Sequence, residues 1–81
     1  MLTISKNEIM MQTGFTDSVA GRIVREAKQR MVKDGYSFYA NKRLNRVPVE
    51  VVNKMLAIEL QGSEGYIGNV QTKRKTMGVQ N

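Results

Sequence analysis

The apolar positions of this chain change period several times, and each change marks an element. Ser5 and Glu8 stand at the spacing of a capping box, with Ile4 before the cap and Ile9 at the fourth helical position as a hydrophobic staple. Gly14 closes this pattern, because glycine readily takes the left-handed conformation that follows a helix end. A first helix is predicted over 6–13. Thr16 is a good N-cap, and Asp17 suits the positive end of the helix dipole. Val19, Ala20, Ile23, Val24, Ala27 and Met31 then recur at helical spacing. Ser18, Arg22, Arg25 and Gln29 fall together on another face, with Lys28 beside them. Asp34-Gly35 is a stop signal, so the second helix is predicted over 17–33.

Beyond it the pattern shortens. Tyr36-Ser37-Phe38-Tyr39, polar Ala40-Asn41-Lys42-Arg43 and Leu44-Asn45-Arg46-Val47 read as a small β-hairpin with a basic tip. Its three aromatics are expected in the core beneath it, with stacking on bases as the alternative. Pro48 suits the first position of a third helix, whose apolar side is Val51, Val52, Met55, Leu56 and Leu60 and which ends at Gly62. Glycines at 62, 65, 68 and 78 then punctuate a polar stretch. The expectation is one mainly α domain over 1–61, a winged helix-turn-helix of three helices plus a short hairpin wing. A flexible basic tail over 62–81 follows it.

Composition narrows the chemistry. Eighty-one residues make one domain at most, in which roughly 60% of the unfolded surface is buried. There is no Cys and no His, which removes disulfides, thiolate nucleophiles, imidazole bases and the usual zinc ligands. The glycines at 62, 65 and 68 lack the Gly-Lys-Ser/Thr ending of a phosphate loop. No enzyme activity, metal, cofactor or small-molecule substrate is expected. No run approaches the ~18 apolar residues of a membrane helix, and Lys6, Asn7 and Glu8 interrupt the start. A cytoplasmic, nucleoid-associated protein without a membrane partner is expected.

The net charge of +6 is unevenly placed. Arg22, Arg25, Lys28, Arg30, Lys33, Lys42, Arg43 and Arg46 outnumber Glu26 and Asp34 within residues 22–46, so this one segment carries the whole excess. A localised basic patch is the footprint of a polyanion, and double-stranded DNA is the expected partner. The apolar residues Ile9, Phe15, Ala20 and Ile23 around Gly14 fit a helix-turn-helix, with Thr13 standing where a larger apolar residue is usual. Its second helix would present Thr16, Asp17, Ser18, Gly21, Arg22 and Arg25 to a major groove. From these, Thr16, Ser18, Gly21, Arg22, Arg25, Lys28 and Gln29 are the candidate DNA contacts on the helix. Lys42, Arg43 and Arg46 are the candidates on the wing, suited to phosphates or the minor groove. Each has a plainer alternative. Gly21 fits close approach to DNA or close packing of a neighbouring helix. Arg22 and Arg25 fit DNA or a counter-ion in Glu26. The wing cations fit phosphates or the blunting of an edge strand.

The stretches Thr3-Ile4-Ser5-Lys6-x-Glu8-Ile9, Gly14-Phe15 and Gly35-Tyr36-x-Phe38-Tyr39-x-Asn41-Lys42-Arg43-Leu44-x-Arg46-Val47-Pro48 carry a resemblance. Over about residues 3–60 the chain resembles a family of short Gram-positive proteins of unassigned function, encoded beside phage-type integrases on conjugative elements. More loosely it is similar to excisionases and to the DNA-binding domains of MerR-type regulators, with a longer second helix than typical excisionases. The resemblance implies an accessory DNA-binding protein of a mobile element, with a phage-type integrase as a second partner. A small transcriptional regulator is the nearest alternative. A protein-interaction module with a basic face is the other.

Overall fold

In a computed structural model, which describes residues 2–64, a short strand β1 (Thr3–Ser5) runs straight into helix α1 (Lys6–Thr13). The junction is the expected capping box: the Ser5 hydroxyl accepts from Glu8 N, and Ser5 N donates to the Glu8 carboxylate at 2.9 Å. Gly14 lies at φ 78°, and its N–H reaches Met10 O at 2.8 Å, capping α1 with a left-handed residue. Helix α2 (Asp17–Lys33) starts at Thr16, whose hydroxyl accepts from Val19 N. It ends in a Schellman motif: Gly35 N donates to Val32 O and Tyr36 N to Met31 O, while Gly35 takes φ 102°.

The sheet has two antiparallel strands, β1 and β2 (Arg46–Pro48), in the register Thr3↔Pro48, Ile4↔Val47, Ser5↔Arg46. Helix α3 (Val49–Leu56) follows without a loop. Three helices and a small two-stranded sheet give the winged-helix-type arrangement, yet the strands are not the expected pair. Residues 36–39 do not face 44–47. Instead Ser37–Ala40 form a single 3₁₀ turn, and the returning arm pairs with the start of the chain. The Schellman motif explains this. It sends the chain back across α2, so Tyr39 is buried there and Lys28 Nζ of α2 donates to Leu44 O at 2.8 Å. An Asx turn, in which Asn41 Oδ1 accepts from Arg43 N, completes the reversal.

The core lies where α2 crosses the sheet and α3. Ile4, Ile9, Ala20, Ala27, Val47 and Val52 are fully sealed, and Ile23, Val24, Met31, Tyr39, Leu44, Val49 and Leu60 complete it. Burying each large aliphatic chain is worth about 1.5–3 kcal/mol, which accounts for the strict apolar stripe of α2. Two apolar positions expected inward around the first turn are not in it. Val19 and Phe15 are 38% and 37% exposed, because they sit at the open end of the turn, beyond the reach of the sheet.

Helix α3 also departs from expectation. Pro48 closes β2 and caps α3 rather than occupying its first turn. The helix stops at Ala57, a left-handed residue at φ 57° and not a glycine, a conformation that costs about 1 kcal/mol. Beyond it the chain forms a strap, which two amide side chains hold by its backbone. Asn53 grips both the N–H and C=O of Leu60, and Gln12 does the same for Gln61. Ser63 then pairs with Thr3 through two backbone hydrogen bonds of 2.8 and 2.9 Å. The folded unit therefore extends past the expected boundary at 61. Gly62 belongs to it, for a Cβ there would lie 2.9 Å from both Leu2 and Val49. The rest of the expected tail, residues 65–81, lies outside the described residues.

Candidate nucleic-acid interface

The buried stripe of α2 leaves its opposite face in solvent. Ser18, Arg22, Arg25 and Gln29 are all exposed there, one turn after another, and Lys33 continues the line. The ion pairs among the described residues are Lys6–Asp17 and Arg46–Glu8. Glu26 is therefore not the counter-ion of Arg22 or Arg25. Thr16 is exposed at the helix start, with its hydroxyl oxygen engaged in capping.

Beside this face runs a cleft of about 770 Å³ between α2 and residues 39–45. Val24, Val32, Tyr39 and Leu44 line it along with Lys6, Arg25, Lys28, Lys33 and Lys42, and no carboxylate does. Lys6 comes from α1 and passes beside Gly21, where a Cβ would meet only Lys6 Cδ, at an ordinary contact distance of 3.8 Å. No neighbouring helix presses on this glycine, so close helix packing does not explain it. Lys28 has a double position. Its ammonium lines the cleft while donating to Leu44 O, so it also anchors the returning arm.

Of the three wing candidates, Lys42 and Arg43 are exposed and stand in the turn after the 3₁₀ segment. Arg46 is a correction. Its side chain is 14% exposed, and its guanidinium donates to Thr3 Oγ1 at 2.7 Å, Thr3 O, Ser63 Oγ and Glu8 Oε1 at 3.0 Å. Its Nε and one terminal nitrogen are thus turned inward, and they fasten β1, β2, α1 and the strap together. Glu8 is the other half of this node. Burial alone would raise its carboxyl, but the Ser5 N–H, the Ser63 hydroxyl and the Arg46 charge outweigh that and hold it below its ordinary value.

Several residues of this face are not among the sequence candidates. Lys33 is legible as the next turn after Gln29, whereas Lys6 and Asn45 reach the cleft only through tertiary packing. Tyr36 and Phe38 are 58% and 57% exposed, against the expectation that all three aromatics lie in the core; Tyr39 alone does.

A helix-turn-helix with caps at both joints, a small antiparallel sheet and a returning arm against the second helix define a small domain of winged-helix-type fold. Residues 2–60 match the family model described as a domain of unknown function (DUF3173), and the chain belongs to that family. No curated protein and no solved structure matches it. Among the described residues, no helix is long and apolar enough to cross a membrane, and no cluster of three or more acidic side chains is placed to hold a metal ion.

Proposed function

We propose that this protein binds double-stranded DNA, with α2 in the major groove and the returning arm on the adjoining backbone. One observation carries the reading: an exposed, carboxylate-free row of Ser18, Arg22, Arg25 and Gln29 borders a cleft ringed by five cations. Arg22 and Arg25 have the forked geometry that pairs with guanine edges, and Gln29 suits adenine. Lys28, Lys42 and Arg43 suit phosphates, which position a protein without reading sequence. Gly21 keeps the middle of the helix low.

Within that reading, the particular role is an accessory factor of a mobile element, acting as an excisionase beside a phage-type integrase. A single DNA-binding unit, the basic run Lys73-Arg74-Lys75 and the resemblance to proteins encoded beside integrases support it.

The test has two levels. In anisotropy titrations, duplex affinity falls steeply with salt, and Lys42→Ala and Arg43→Ala each flatten the log–log slope by about 0.9. Arg22→Ala and Arg25→Ala weaken specific binding by about 1–3 kcal/mol. Absence of duplex binding at low salt would leave the acidic-partner reading. Recombination of an attachment-site substrate by the cognate integrase then decides the role. Excision rises over integration when the protein is added, and deleting 65–81 reduces that gain while preserving DNA binding. An unchanged ratio, with repression of a nearby promoter, assigns the protein to transcriptional control instead.

A further inference from the structure

The strongest feature left unexplained is an aromatic pair in solvent. Tyr36 and Phe38 follow the end of α2 and expose more than half of their surface, in a chain with only five aromatics. Their backbone is held firmly. Tyr36 N donates to Met31 O, Tyr39 N donates to Tyr36 O, and the buried Tyr39 ring meets Phe38 edge-on with centroids 5.4 Å apart. The rings are therefore presented to solvent on a fixed support. Their neighbours along the chain are cationic: Lys33 precedes them, Lys42 and Arg43 follow, and Asp34 is the one carboxylate within this stretch.

We infer that Tyr36 and Phe38 form a wedge that enters a DNA base step and bends the duplex. This rests on the DNA-binding reading and adds a distortion to it. Flat rings bordered by cations match a partner with stacked bases between phosphates, since bases offer π-faces and the backbone offers charge. An acidic protein surface would satisfy the cations but leave the rings facing carboxylates. Position agrees as well. Along α2, its last residue Lys33 lies roughly 16 Å beyond Arg22 at 1.5 Å per residue, and Tyr36 follows in the turn that closes the helix. Half a turn of B-DNA is about 17 Å, the separation of a major groove from the minor groove next to it. With Arg22 and Arg25 in the first, the aromatics reach the second. Unstacking a step is least costly at pyrimidine–purine steps, so the wedge would select flexible sequence without hydrogen-bonding to it.

The experiment uses the full chain and a 30-base-pair A·T-rich duplex with central TA steps, dye-labelled at both ends and carrying 2-aminopurine at one step. Wild type raises end-to-end energy transfer and brightens the 2-aminopurine. The double variant Tyr36→Ser/Phe38→Ser binds about five- to tenfold more weakly and abolishes both signals. Because Phe38 also touches Tyr39, Phe38→Leu is the second variant. It keeps an apolar group against Tyr39 but has no flat ring, so it retains the thermal transition and loses the 2-aminopurine signal. Wild-type binding without bending, or a double variant that bends DNA as wild type does, overturns the wedge while leaving DNA binding intact. Failure of wild type to bind any duplex overturns the DNA reading itself.

Discussion

Residues 6–33 and residues 34–63 are held by different kinds of partner. In the first region every helix end is closed from within five residues: Ser5 with Glu8, Gly14 with Met10, Thr16 with Val19, Tyr36 with Met31. In the second, the decisive bonds span long stretches of chain. Lys28 reaches Leu44, Arg46 reaches Thr3 and Glu8, Gln12 reaches Gln61, and Ser63 reaches Glu8 across 55 residues. The first region is built from caps that can form alone. The second exists only once the first is in place, because its anchors stand on α1 and α2. Function is divided along the same line, with the candidate reading face on α2 and the arm that borders the cleft in the second region.

The sharpest way to break this comparison is to remove the long-range node. Arg46→Ala removes the partner charge of the part-buried Glu8 and the hydrogen bonds to Thr3 and Ser63, and should cost about 3 kcal/mol, read as a lowered urea midpoint. Arg22→Ala, on the exposed face, should change stability by no more than about 0.5 kcal/mol. Two arginines of one basic segment thus separate by several-fold in stability, in the opposite order to their effect on DNA. Next comes Gly62→Ala, whose methyl group would meet Leu2 and Val49 at 2.9 Å and should cost about 2 kcal/mol in the same titration.

A smaller effect of the opposite sign sharpens the functional half. Gly21→Ala fills open space on a helix and should raise stability by about 1 kcal/mol. If the bare surface at Gly21 serves the groove, this more stable variant binds duplex DNA more weakly; equal or tighter binding would remove Gly21 from the interface. The smallest effect is the pH response of the node. The Glu8 carboxyl is lowered in the folded state, so its contribution is fully present above its ordinary value and disappears as pH falls through the folded one. Glu8→Gln should flatten the acid limb of the stability profile in that window, with little change at neutral pH in the limb's slope.

The two regions also differ in how readily they are read from sequence, and for the same reason. α1 and α2 are legible to the residue, since cap, period and stop all lie within the helix or beside it. The exposed face of α2 follows from the period alone. The strand pairing is not legible: β1 is three residues long, and its partner lies some forty residues on. Residues 36–39 look like a strand because aromatics favour one, but the Schellman motif at Gly35 and the burial of Tyr39 on α2 override that preference. Arg46 resembles Lys42 and Arg43 in composition. What sets it apart is its place opposite Ser5 across the sheet, which no local pattern reveals. Gly62 looks like a helix stop, whereas its neighbours Leu2 and Val49 require it to have no side chain.

The pairing of Thr3 with Ser63 has a consequence for how the chain acquires its shape during synthesis. The two helices can curl as they emerge from the ribosome, since their caps arrive with them. Strand β1 has to wait, first for residues 46–48 and then for residue 63, before its backbone groups and the Arg46–Glu8 node are satisfied. The knot of the fold is tied last, by one of the last described residues to be made. A chain ending at 60 would keep the caps of α1 and α2 and lack the residue that closes the sheet.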